Sequence, residues 1–247
     1  MLVLAQISDL HLDGTARGTE RAERVMGHLR GLGTRVDALL VTGDIADHGT
    51  EAEYEEAARV LDAPFPVLHC PGNHDSRGPY RKALLGEPAS DDPVNRVHRV
   101  GGAAILMCDS SIPGQDEGLL DDTTYAWIEA TLDELGGDIP VLLAFHHPPV
   151  ALHHPLPDRY QLQEPDRLAA LLDRHPEITA LITGHAHTPA ATTFGGRPLL
   201  VGPGVTWTLR LPWEGEQIAD RAADPGFAFH VLDDAGRLTT HYRTVPA

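Results

Sequence analysis

Six short runs of this chain, Leu2–Ile7, Ala38–Thr42, Val67–Cys70, Ala104–Cys108, Val141–Phe145 and Ala180–Thr183, are apolar almost throughout. Runs of that length and composition suit strands buried on both faces, in a sheet flanked by helices. Between them lie Thr19–Leu32, Thr50–Leu61, Asp122–Leu135 and Glu164–Arg174, where apolar residues return at helical spacing. Val25, Leu29 and Leu32, or Leu168, Leu171 and Leu172, then mark helix faces turned to a core. Thr50 with Glu53 behind it is a capping-box pattern. Two hairpin signals close the chain: Gly195-Gly196 between Ala190–Phe194 and Arg197–Val201, and Asp233–Gly236 between Gly226–Leu232 and Arg237–Arg243. Glycine turns between apolar runs are hairpin chemistry, and here they predict a second, more antiparallel sheet at the C-terminus. Pro212–Pro225, with Trp213, reads as an exposed loop. The expected architecture is one α/β domain over residues 1–247, a four-layer α/β/β/α sandwich of two mixed β-sheets.

Charge narrows the function. Of 247 residues, 36 are acidic and 19 basic, a net charge of −17 with Lys82 the single lysine. That balance disfavours a nucleic-acid-backbone binder and an anionic-membrane protein. No apolar stretch is long enough to span a bilayer. The segment MLVLAQISDLH lacks a basic leader and reads as a first strand rather than a signal peptide. A cytoplasmic, reduced setting is expected, with Cys70 and Cys108 as small core residues. Fifteen histidines beside the carboxylate surplus point toward metal binding.

Five polar clusters follow the ends of expected strands: Asp9-Leu10-His11, Gly43-Asp44-Ile45-Ala46-Asp47, Gly72-Asn73-His74-Asp75, His146-His147-Pro148-Pro149 and Gly184-His185-Ala186-His187. Ligands of open α/β sheets bind beyond the carboxyl ends of the strands, so five such loops can converge on one site. Carboxylate oxygens and imidazole nitrogens without thiolate suit Mn, Fe, Zn or Co rather than an iron–sulfur cluster.

In this order, D-x-H, GDxxD, GNHD, HHPP and GHxH resemble the calcineurin-like metallophosphoesterase superfamily over roughly residues 9–187. The spacing and the HHPP element are most similar to bacterial class III 3′,5′-cyclic-nucleotide phosphodiesterases and the related glycerophosphodiesterases. The resemblance implies two transition-metal ions, Mn, Fe or Zn. Asp9, His11, Asp44 and His187 would hold one; Asp44, Asn73, His146 and His185 would hold the other, with Asp44 bridging. Between His146 and His147 it selects the first. A hydroxide shared by the ions would attack phosphorus in line. It further implies that His74, with Asn73, contacts the phosphate, and that His74 acts on the leaving oxygen without binding metal. Asp75 is then a plausible orienter of His74, and Asp47 a loop-capping or supporting residue. The resemblance also admits a homodimer.

The expected substrate is a small phosphodiester, with cyclic AMP foremost. A glycerophosphodiesterase or phosphomonoesterase on the same scaffold is the alternative, and a non-catalytic protein-binding scaffold is more remote, because every expected ligand is present. The five clusters contain no Lys or Arg, which favours a diester monoanion over a monoester dianion. Arg77 could reach a substrate phosphate, but reads more readily as a solvated side chain. His153 and His154 lie just past the HHPP segment and could rim the pocket, but read more readily as ordinary histidines. No aromatic is assigned to a nucleobase; Trp207, Trp213 and Tyr160 are the candidates, each read more readily as core or loop packing.

Overall fold

The computed structural model describes residues 1–32 and 35–246. In the first sheet, β1 (Leu2–Ile7), β2 (Ala38–Thr42) and β3 (Val67–Cys70) are parallel neighbours in chain order. The antiparallel pair β12 (Gly226–Leu232) and β13 (Leu238–Thr244) extends that sheet beyond β1. In the second, β5 (Ala103–Met107), β6 (Val141–Ala144), β7 (Ile178–Thr183) and β9 (Arg197–Val201) run parallel, and β4 (Arg96–Val100) and β8 (Ala190–Phe194) flank them antiparallel.

Side-chain alternation along the strands builds three cores. Leu2 and Leu4 of β1, with Ala38 and Leu40 of β2, meet Ile105, Met107, Leu142 and Ile182 of the opposite sheet. Ala5, Ile7, Leu39 and Val41 face the other way, into a core with Val25, Met26 and Leu29 of α1 (Ala16–Leu32), Tyr54 and Ala57 of α2 (Glu51–Val60) and Tyr80 of α3 (Arg77–Tyr80). Leu106, Leu143 and Leu181 pack against Ile128 of α4 (Asp122–Leu135) and Leu171 of α5 (Pro165–Arg174). Three cores between four layers make the α/β/β/α sandwich of two mixed sheets. The capping box is present at α2: Thr50 Oγ1 accepts from Glu53 N, and Glu53 Oε2 accepts from Thr50 N (2.9 Å). No described helix is long and apolar enough to cross a membrane.

The C-terminal hairpins correct the sequence expectation. They form no sheet of their own. One pairs with β1, Leu2 opposite Leu232, and the other lies beside β7, Leu181 opposite Leu199. The physical reason is edge satisfaction: an open strand of each mostly parallel sheet offers unpaired N–H and C=O groups, and the hairpins pair them. Within Pro212–Pro225, Trp213 is 71% exposed as expected, but Ala219–Asp220 forms a short strand, β11, paired with β10 (Thr208–Leu209).

Toward the carboxyl ends of the strands the inter-sheet layer turns polar. Gln6 Nε2 donates to Thr42 Oγ1 and Thr183 O, both at 2.8 Å, and Gln6 Oε1 accepts from His230 Nε2 at 3.0 Å. Burial holds the His230 imidazole neutral, its pKa pushed down to about 3. This buried set ties β1, β2, β12 and β7 together just below the rim.

At the rim the two sheets nearly touch. A Cβ on Gly184, directly after β7, would stand 1.9 Å from Ser8 Oγ and 2.6 Å from Thr42 O. Gly184→Ala is therefore expected to cost on the order of 1–3 kcal/mol, the overpacking range, seen as several degrees of Tm loss in calorimetry. Gly27→Ala, in an exposed turn of α1 with nothing within 4 Å of its Cβ, is the control and should raise Tm slightly. Equal Tm values for the two variants would contradict the close approach.

Candidate metal centre

Each strand end delivers its polar cluster to the same rim. Backbone bonds lock the first two loops together: Asp9 N donates to Gly43 O (3.1 Å), His11 N to Asp44 O (3.0 Å) and Leu12 N to Ile45 O (3.0 Å). Gly184 N donates to His146 O (3.0 Å), joining the last two. Among the described residues seven non-glycines have positive φ, and five of them are Asp9 (55°), His11 (43°), Asp44 (50°), His185 (70°) and His187 (53°). Left-handed backbone disfavours residues with a Cβ. Its concentration at these positions marks strain held at a functional site.

The side chains converge. Asp44 is buried; its Oδ1 accepts from His74 N (3.0 Å), and its Oδ2 lies 3.5 Å from His11 Nε2 and 3.3 Å from His146 Nε2. Asp9 Oδ1 is 3.5 Å from His187 Nε2 and 4.0 Å from His146 Nε2, and its Oδ2 is buried without a partner. His185 Nδ1 stands 3.2 Å from Asn73 Oδ1 and 3.3 Å from His146 Nε2. All seven expected ligands and His74 thus meet in one place.

Tautomers follow from the outer bonds. His11 Nδ1 is 2.8 Å from Asp47 Oδ1, His187 Nδ1 is 3.3 Å from Trp207 O and His146 Nδ1 is 2.7 Å from Thr42 O. These oxygens only accept, so each Nδ1 carries hydrogen and each Nε2 is left as a bare donor atom in the neutral ring. Yet His11 Nε2 and His187 Nε2 face each other at 3.2 Å. Two lone pairs at that distance repel unless a cation lies between them. With the orphaned carboxylate oxygen of Asp9, this is a donor set that fits a dinuclear cation centre.

Electrostatics divide the histidines. Burial and the neighbouring His146 charge push His185 down to about 3, and burial with His11 does the same to His187, so both are neutral donors. Burial also disfavours charge on His146, but the Asp44 and Asp9 carboxylates outweigh it and raise His146 to about 9, so a cation would take the place of its Nε2 proton. Burial works against ionisation of Asp44 too, and its flanking histidines overcome this and hold it well below the usual carboxylate range.

Several supporting assignments change. Asp75 does not orient His74. Its carboxylate accepts from Gly72 N (2.8 Å), Ile45 N (3.2 Å), Ala46 N (3.1 Å) and Tyr54 Oη (3.0 Å), stitching the second and third loops together. The Asp47 carbonyl holds His74 Nδ1 instead, at 2.8 Å, while the Asp47 carboxylate holds His11. Arg77 is not solvated: it donates to Asp109 Oδ2, Asp91 O and Ser111 O, each at 2.8 Å. His147 bonds Ser110 Oγ (2.8 Å), and the same hydroxyl accepts from His146 N (3.2 Å). Ser110 and the Asp109–Arg77 pair carry no motif and were not visible in the sequence.

A cavity of about 200 Å³ opens over His11, Asp44, Asn73, His74, His185 and His187. Trp207, Leu209, Asp116, Leu156, Pro157 and Tyr160 complete its wall. His153, His154 and Trp213 are not part of it. Trp207 stacks on His187 (4.9 Å, 10°) and on His11 (5.0 Å, 25°), with the Arg221 guanidinium 5.3 Å from its ring centre.

Comparison with known proteins places the chain. It is 33% identical over 248 residues to the 3′,5′-cyclic adenosine monophosphate phosphodiesterase CpdA of Pseudomonas aeruginosa, covering 97% of this chain and 88% of that protein. It is 35% identical over 205 residues to the glycerophosphodiester phosphodiesterase GpdQ of Enterobacter lignolyticus, covering 78% and 73%. A dimetal phosphatase from Danio rerio superimposes with a TM-score of 0.73 over 99% of both chains at 15% identity, a likeness of fold. Residues 2–189 match the calcineurin-like phosphoesterase family, and the chain, a metallophosphoesterase by sequence, belongs to that family.

Proposed function

We propose that this chain hydrolyses small phosphodiesters, 3′,5′-cyclic AMP foremost, in a reduced cytoplasmic setting. Asp9, His11, Asp44 and His187 would hold one ion of Mn, Fe or Zn, and Asp44, Asn73, His146 and His185 would hold a second. The observation that carries the reading is Asp44 Oδ2, set between His11 Nε2 at 3.5 Å and His146 Nε2 at 3.3 Å, which suits a carboxylate shared by two cations. When bound, the ions activate a water at neutral pH and neutralise phosphoryl charge. The residues do the rest. With Nδ1–H on the Asp47 carbonyl, His74 keeps Nε2 for proton exchange at the cavity. The water gives a proton to solvent as its oxygen bonds to phosphorus, the ester P–O bond breaks, and a proton that His74 Nε2 has taken from solvent passes to the departing oxygen. No lining residue is Lys or Arg, and Asp116 is acidic, so a monoanionic diester is favoured over a dianionic monoester. Two free, buried thiols, Cys70 and Cys108, support the reduced setting. The likeness to GpdQ favours a second reading, a glycerophosphodiesterase with the same centre.

Elemental analysis of protein reconstituted with Mn should find about two equivalents per chain, as a dinuclear site requires. Asp44→Ala should lose both, and Asn73→Ala chiefly one. Full occupancy in the Asp44 variant would refute the shared carboxylate.

His74→Ala should keep its metal content and lose turnover by roughly 10²–10⁴, the general acid–base range. The loss should shrink on esters with a nitrophenolate leaving group, which needs no proton. Metal loss in this variant would make His74 a ligand instead.

Under one metal condition, kcat/KM should be higher for bis(4-nitrophenyl) phosphate than for 4-nitrophenyl phosphate, and higher for cyclic AMP than for glycerophosphoethanolamine. A winning monoester overturns the diester reading. A winning glycerol diester replaces cyclic AMP alone.

A further inference from the structure

The cavity has two unlike walls. One is built by the five polar clusters. The other comes from the segment between β6 and α5, where Leu156, Pro157 and Tyr160 stand with Leu209 across from the histidines. Such apolar groups have no part in binding cations or moving protons. Leu156 is 41% exposed, a large aliphatic side chain left open to water at the mouth of a polar site. Asp116, an acidic residue from the loop after β5, belongs to the same wall.

The segment is held in place. Asp158 Oδ1 accepts from Leu152 N (2.7 Å) and Oδ2 from His154 N (3.1 Å), and His154 Nδ1 accepts from Leu156 N (3.2 Å). Leu162 N donates to Pro148 O (3.0 Å), and Gln163 N to Gly118 O (2.7 Å), which joins the segment to the loop bearing Asp116. Asp116 and Tyr160 therefore belong to one braced wall. Trp207, the other aromatic in the cavity, is engaged by the stacked imidazoles and by Arg221. Tyr160 is the aromatic left for a ligand.

We propose that this wall is a nucleobase subsite: the base packs on Tyr160 and Leu156, and the Asp116 carboxylate accepts a hydrogen bond from an exocyclic amine, as adenine offers. The assignment deepens the phosphodiesterase reading and rests on it for the reaction, though not for binding. Stacking on an aromatic ring gives base affinity with little sequence preference. A carboxylate adds discrimination, since it pairs with an amine and repels a carbonyl oxygen at the same position.

The test is calorimetric binding of adenosine and inosine to the metal-loaded protein, followed by kinetics. Adenosine should bind, inosine more weakly, and Tyr160→Ala should weaken adenosine roughly tenfold, within the range for one base stack. Tyr160→Phe should restore binding, which separates stacking from damage to the loop, and Asp116→Asn should narrow the gap between the two nucleosides. In turnover, Tyr160→Ala should raise KM for cyclic AMP while leaving kcat/KM for glycerophosphoglycerol within about twofold, as expected of a contact with the base alone. No binding of adenosine, or equal losses on both diesters, overturns the subsite. Adenosine binding with no hydrolysis of either diester keeps the subsite and overturns the phosphodiesterase reading.

Discussion

The buried carboxylate of Asp44, caught between the imidazoles of His11 and His146, is the constraint around which the rim is organised. Asp44 and Asp9 lie in one water-poor space with four histidines. Donor atoms of like polarity at 3–4 Å repel strongly where the dielectric is low. They stay together because the backbone gives them no alternative. Bonds from Asp9 N, His11 N and Gly184 N tie each loop to another, and five motif residues accept left-handed backbone, at a cost on the order of 1 kcal/mol each. Two buried carboxylates held this close, with imidazoles around them, are preorganised for cations.

That cost is met by the layers beneath. The central strands β2 and β5 are buried along their whole length, and the three cores hold the sheets at fixed spacing. The parallel strands of each sheet end at one rim, so their loops face one another. Between the apolar core and the polar rim, Gln6 bonds Thr42, the Thr183 carbonyl and His230, and His230 bonds Thr240 in turn. The registry of this set lets Ser8 and Thr42 approach Gly184 closely enough that no side chain fits there.

Activity and selectivity come from different parts of this frame. The polar clusters sit on strand ends, where position is set by sheet pairing. The opposite wall of the cavity is built by connections after β5 and β6, which can vary without disturbing the strands. Relatives named for cyclic nucleotides and for glycerophosphodiesters, at 33% and 35% identity, fit that division, since one chemistry can serve several substrates when only the connections change.

Local pattern alone specified a good deal. Leu2–Ile7, Ala38–Thr42 and Val67–Cys70 are strands at the expected bounds, the Thr50–Glu53 cap forms, and the polar clusters converge as their order implied. Such features depend on neighbours a few residues apart, so periodicity and spacing record them. Placement of the C-terminal hairpins, by contrast, depended on which strand edges remained open, and Leu232 meets Leu2 across almost the whole chain. The role of Asp47 over Asp75, the burial of Arg77 on Asp109, and the choice of Tyr160 rather than Trp207 or Trp213 for the cavity's open aromatic were settled the same way. Each is a contact between segments far apart in the chain. Residue type and spacing determined which chemistry the chain carries; only tertiary packing decided which side chains orient it and what shape of molecule meets it, because those contacts leave no periodic trace.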